Sequence, residues 1–125
     1  MSPEKQRLGT YVAKLLIFLG FSPRVSGYGY LKEMITIRYS DCNLKLSQTY
    51  PLISKSFGYP EDAIQTAVRT ALKNAFNQGG NKQLETLLGI KLSQAEYVLS
   101  PREFLGLIEV YLKYYWDGSL DIKVQ

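Results

Sequence analysis

Read from end to end, the apolar residues of this chain recur every three to four positions, and no run of strand length alternates apolar with polar residues. That spacing gathers apolar side chains into one stripe along each helix. A stripe of this kind escapes water only against other elements, so the chain must pack helix on helix. Met34–Tyr39 is weakly strand-like, but no Gly or Pro frames it as a hairpin. The fold class expected is all-α: a compact bundle of about six helices in one domain spanning 1–125.

The helices have readable ends. The first is expected over Pro3–Leu19, with Ser2 as cap, Pro3 at the first helical position and Gly20 as the stop. After a loop containing Pro23, a second helix is expected over Tyr28–Tyr39, closed by the turn Ser40–Asn43. Two more follow, Leu46–Phe57 and Pro60–Gln78, the latter ended by Gly79-Gly80-Asn81. A short helix is expected over Lys82–Leu88, while Lys91–Leu99 is ambiguous and is compatible with an extended loop. The last helix has the firmest start: Ser100 as cap, Pro101 next, and Glu103 completing a capping box. Its stripe of Phe104, Leu105, Ile108, Tyr111, Leu112 and Tyr115 is widened almost all round by Leu107, Val110 and Tyr114. Such a helix is either central or covered by a partner.

Residues 46–78 meet the demands of a helix-turn-helix. That motif sets two helices at a steep angle through a tight turn, usually containing glycine. A small residue is wanted where the helices cross, and glycine best supplies a left-handed turn. Here Ile53 and Phe57 are the expected inward residues of the first helix, with Leu52 in support. Ser54 is the small residue, Gly58 the turn and Tyr59 an apolar anchor after it. Ile64 and Ala67 point inward from the second helix.

If Ile64, Ala67, Val68, Ala71, Leu72, Ala75 and Phe76 are buried, then Gln65, Thr66, Arg69, Thr70, Lys73, Asn74 and Asn77 lie outside. That outer face contains no acid and two cations. Guanidinium, amide and hydroxyl groups are those that read base edges in the major groove: Arg69 suits guanine and Gln65 suits adenine. Thr66 and Thr70 suit a thymine methyl or a phosphate, and Lys73 and Asn77 the backbone. Further backbone candidates are Lys55, Arg38 and Lys45, with Arg24 and Lys32 behind them. Glu61 and Asp62, in the first helical turn, suit the helix dipole rather than DNA.

Composition excludes other chemistries. The chain has no histidine, which removes the usual imidazole base and the commonest metal ligand. Its single cysteine, Cys42, has no partner for a disulfide or thiolate cluster and reads as a bystander. No nucleophile–base pair or glycine-rich phosphate loop is visible, and nothing selects a carboxylate pair such as Glu33 with Glu109. No enzyme, cofactor or metal site is therefore expected. The apolar stretch Tyr11–Phe21 is broken by Lys14 and too short to span a bilayer, and no signal peptide is apparent. A reducing cytoplasm fits this cysteine usage. The net charge of +4 permits nucleic-acid binding without requiring it, and residues 1–45 carry seven Lys/Arg against three Asp/Glu.

Several stretches together resemble the C-terminal DNA-binding domain of the sporulation stage-zero protein A family, response regulators of endospore-forming bacteria. They are Leu19-Gly20-Phe21-Ser22-Pro23, Gly27-Tyr28-Gly29-Tyr30-Leu31-Lys32-Glu33 and Tyr50-Pro51-Leu52-Ile53-Ser54-Lys55-Ser56-Phe57. Ala67-Val68-Arg69-Thr70-Ala71, Leu87-Leu88-Gly89 and Pro101-Arg102-Glu103-Phe104 complete the match, from about Leu16 to Tyr115. The resemblance implies a six-helix domain around a helix-turn-helix. It implies binding to short TGTCGAA-like boxes, often in tandem, to activate or repress transcription in the bacterial cytoplasm. The implied partners are double-stranded DNA, a second copy as homodimer or tandem dimer, and RNA polymerase; no membrane is involved. Arg69 matches a family arginine of the recognition helix, whereas Gln65, Thr66 and Thr70 stand where other polar or charged readers are usual. The stretch between Asp41 and Tyr50 is shorter than the family pattern. About 15 residues precede the match, too few for a phosphoacceptor receiver domain, so an excised domain or a stand-alone relative is expected.

The leading expectation is a sequence-specific transcriptional regulator. The alternative is a module that keeps the fold, has lost base readout, and modulates a full-length regulator by pairing with it through the last helix.

Overall fold

A computed structural model of the chain describes residues 3–41, 43–91 and 99–122. Six helices follow one another: α1 (Pro3–Phe18), α2 (Ser26–Ser40), α3 (Leu46–Phe57), α4 (Glu61–Asn77), α5 (Gly80–Leu88) and α6 (Pro101–Tyr115). No strand occurs among the described residues, and Met34–Tyr39 lies wholly within α2. The all-α bundle expected from the apolar period is what the chain forms. The cap expected from Ser2, the state of Cys42 and most of Lys91–Leu99 fall outside the described residues.

Two helices form the hub. α2 touches α1, α3, α4 and α6, and α4 touches α2, α3, α5 and α6. The close α2–α4 approach depends on Gly27, buried in the first turn of α2. A Cβ there would stand 2.6 Å from Ala71 Cβ and closer still to the Ala67 carbonyl oxygen. The packing explains why α2 starts at Ser26, ahead of the expected Tyr28: the glycine belongs to the helix, not to its preceding loop.

The core collects the expected stripes, including Leu15 and Leu16 of α1, Leu31 and Met34 of α2, Ile53 of α3, Ile64 and Val68 of α4, Leu84 of α5 and Phe104 of α6. Phe104 bridges, its ring 5.4 Å from Phe21 and 6.3 Å from Phe76. Trp116, just past α6, lies between the rings of Tyr11 and Tyr39 at 5.5 and 5.7 Å. The end of α6 is thereby held to both α1 and α2.

Several ends differ from expectation for local reasons. Pro60 is the N-cap of α4 rather than its first helical residue; its ψ of 150° is extended, and its carbonyl accepts from Ile64 N–H at 3.2 Å. α5 begins at Gly80, not Lys82, because Gly79 alone makes the turn with φ +90°. Gly80 is pressed against Leu19 and Ala75 backbone oxygens, where a Cβ would stand 2.6 and 2.7 Å away. The capping box of α6 forms as expected: Glu103 N–H donates to Ser100 Oγ at 3.2 Å, and Ser100 N–H to Glu103 Oε1 at 3.1 Å. Tyr115 leaves the expected stripe of α6 and is exposed, as are Val110 and Tyr114, so α6 is buried along one side only.

Candidate nucleic-acid interface

α3 and α4 are joined by residues 58–60. Gly58 caps α3 with φ +77° and donates its N–H to the Ser54 carbonyl at 2.9 Å. The Ser54 hydroxyl donates to the Tyr59 carbonyl at 2.5 Å, so the small residue at this crossing also clips the turn. Ile53 and Ile64 are fully buried, and Ala67 is partly so.

The apolar residues around the turn depart from expectation. Tyr59 is 57% exposed and Leu52 is 44% exposed, so neither is buried in the turn. Phe57 is 40% exposed and meets Tyr30 edge-on, ring centres 5.0 Å apart. The reason is that Tyr50 and Ile53, one turn apart on α3, already fill the space against the bundle. The polar clip from Ser54 then holds the turn without an apolar anchor.

α4 divides as its period requires. Ile64, Val68, Ala71, Leu72, Ala75 and Phe76 are buried. Thr66, Arg69, Thr70, Lys73, Asn74 and Asn77 are exposed, and Gln65 is half-buried at the edge of the face. Among the described residues none of these seven side chains makes a hydrogen bond or ion pair within the chain. From Gln65 to Asn77 the face is about 18 Å long at 1.5 Å per residue. Glu61 and Asp62 sit ahead of it, and Asp62 Oδ1 accepts the Ala63 N–H at 3.0 Å, a local contact of the first turn.

Arg69 has a neighbour that the sequence did not suggest. Tyr50 of α3 is buried, which pushes its phenol above the ordinary tyrosine value, while the nearby Arg69 guanidinium pulls the other way. The exposed face of α4 therefore has a tyrosine of the preceding helix within electrostatic range of its arginine.

The backbone candidates separate. Lys45 and Lys55 are exposed at the two ends of α3, about 15 Å apart along the helix. Lys73 and Asn77 share the α4 face. Arg38 stands apart: its Nε pairs with Glu109 Oε1 across the α2–α6 seam, and its Nη1 is buried with no acceptor among the described residues. Its guanidinium is engaged in joining two helices. A shallow cleft of about 480 Å³ beside α4 was also not legible from sequence. Arg69, Leu72 and Lys73 line one wall, and Leu99, Ser100 and Pro101 the other.

With this geometry in place, the family can be assigned. The family model described as "Sporulation initiation factor Spo0A C terminal" matches residues 12–112, most of the chain. The chain belongs to the Spo0A C-terminal family. Members of this family are DNA-binding effector domains of a sporulation regulator and act in transcription; the family is regulatory, not catalytic. The Spo0A C-terminal match encloses the whole of α2 to α5, and with them the α3–α4 unit. Among the described residues no group of His, Cys, Asp and Glu has the makings of a metal site, and no helix is long and apolar enough to cross a membrane.

Proposed function

We propose that this chain is a sequence-specific transcriptional regulator that reads the DNA major groove with α4, with α3 and the Gly58 turn completing a helix-turn-helix. Gln65, Thr66, Arg69 and Thr70 face base edges. Lys73, Asn77, Lys55 and Lys45 hold phosphates. Arg38 was the remaining backbone candidate, and its pairing with Glu109 favours a structural role instead. The observation that carries this reading is the outer face of α4: seven polar or cationic side chains, no acid, and no hydrogen bond or ion pair to any of them among the described residues. Side chains left unpaired on a rigid helix reach a base edge without first breaking an internal contact. The reading calls for a second copy on tandem boxes and for RNA polymerase as protein partners.

Fluorescence anisotropy against a duplex carrying two TGTCGAA-like boxes, beside a scrambled duplex at the same salt, tests the reading. Specific binding should exceed non-specific binding by roughly 10³-fold or more. Arg69→Ala should cost about 1–3 kcal/mol on the box duplex and little on the scrambled one. Equal, steeply salt-dependent binding to both duplexes would exclude box readout.

A second reading is favoured by one observation. Val110, Tyr114 and Tyr115 expose apolar surface on the outer side of α6, 49%, 68% and 52% accessible. A protein-interaction module that pairs with a full-length regulator would use such a face. It predicts binding to that regulator with no preference between the two duplexes.

A further inference from the structure

The geometry points to the first turn of α6 as part of the DNA-facing surface, with Arg102 as a phosphate contact beside the α4 face; the inference rests on α4 being the groove-facing helix. The cleft of about 480 Å³ is the decisive feature, because its two walls are the middle of α4 and the entry to α6. Arg69 and Lys73 stand on one wall, and Ser100 and Pro101 on the other. A helix lying in a groove about 12 Å wide has a phosphate backbone along each flank. An element standing beside the middle of that helix meets one of those strands.

The charges on the α6 side suit this role. Arg102 follows Pro101 directly, is exposed, and among the described residues makes no hydrogen bond or ion pair. The neighbouring acid, Glu103, is turned back onto the Ser100 N–H through the capping box, and among the described residues no carboxylate lines the cleft. Ser100 Oγ accepts from Glu103 N–H, which leaves its own hydroxyl hydrogen to donate outward. Leu72, Leu99 and Pro101 supply an apolar floor. Low polarity beside a cation strengthens its attraction to an anion. Arg69 and Lys73 line the cleft, and Arg102, next along the chain from the Pro101 wall, adds a third cation from an element far from α4 in sequence.

The test is anisotropy titration of Arg102→Ala and Arg102→Lys in the full chain, on box and scrambled duplexes, over a series of salt concentrations. A lost phosphate contact flattens log K against log salt by about 0.9. The expected result is that Arg102→Ala weakens binding several-fold on both duplexes alike, flattens the salt slope, and leaves the box preference intact. Arg102→Lys should recover most of the loss, since a phosphate accepts a point charge. Unchanged affinity and slope in Arg102→Ala would overturn the inference, and so would a change in box preference at constant slope. Circular dichroism melts of both variants should match the parent, because Arg102 is exposed. If the parent shows no box preference while Arg102→Ala still flattens the slope, box readout fails and the Arg102 contact stands. If the parent binds neither duplex, both fail.

Discussion

At the scale of single residues, Gly27 and Gly58 are needed for opposite reasons. Gly27 has an ordinary backbone and no room: a Cβ would meet Ala71 Cβ at 2.6 Å and press on the Ala67 carbonyl. Gly58 has room on every side, with nothing within 4 Å of where a Cβ would stand, but a φ of +77°. Gly27→Ala must push α2 and α4 apart and should cost about 1–3 kcal/mol, as other overpacked sites do. Gly58→Ala strains only its own backbone and should cost about 1 kcal/mol. Urea midpoints of the two variants would check the order, and a Gly58→Ala loss larger than that of Gly27→Ala would contradict the close α2–α4 approach. A third residue-scale feature is the buried contact between the Tyr11 and Tyr111 hydroxyls, 2.6 Å apart, which ties α1 to α6. Removing one hydroxyl leaves the other buried without a partner, a loss of about 1–3 kcal/mol. Tyr11→Phe and Tyr111→Phe should each destabilise the fold, and the double variant should lose clearly less than the two losses added together. Additive losses in that cycle would show that the hydroxyls do not depend on each other.

At the scale of elements, what sequence made legible was whatever short-range chemistry decides. The capping box of α6 could be read because Ser100, Pro101 and Glu103 act on one another within a single turn. Ser100→Ala should accordingly cost about 1 kcal/mol in thermal or urea unfolding, most of it from the lost Glu103 N–H bond. The α4 stripe was legible for the same reason: six buried positions on one face fix the other face by subtraction. Sequence was less informative wherever a distant element decides. Tyr59 and Leu52 fit a turn anchor by type, but Tyr50 and Ile53 occupy the available core and the Ser54 hydroxyl closes the turn. Arg38 looked like any surface cation until α6 brought Glu109 against it. Gly27 looked like a loop glycine, because nothing local announces that α4 passes directly over it. The cleft joining Arg69 to Ser100 is of this kind too, built by residues about 30 positions apart.

At the scale of the whole molecule, the titrating groups make a stability profile that follows from what the chain contains and what it buries. There is no histidine, the side chain that ordinarily changes charge between pH 5 and 8. At the alkaline end the position is different. Burial raises the phenols of Tyr11, Tyr28 and Tyr50 above the ordinary tyrosine value; Tyr11 is raised further by its contact with Tyr111, and Tyr28 donates to the Ala13 carbonyl at 2.9 Å. The protonated phenol is the neutral form, so the folded chain holds these protons to higher pH than the unfolded chain does. Unfolded tyrosines ionise near pH 10. Below that value both states keep their protons and the stabilisation is complete. Above it the unfolded state sheds protons that the folded state retains, and stability falls with each further rise in pH toward the folded values. These three residues belong to α1, α2 and α3, so the alkaline transition should open the bundle as one unit rather than fray one helix. Urea midpoints taken from pH 6 to 11 should be level to about pH 9 and then fall steadily. Replacing Tyr11 and Tyr111 together by phenylalanine should make that fall shallower while leaving the neutral plateau in place. A slope already present between pH 6 and 8, or a fall of equal steepness in the double variant, would place the controlling protons elsewhere than in the buried tyrosines.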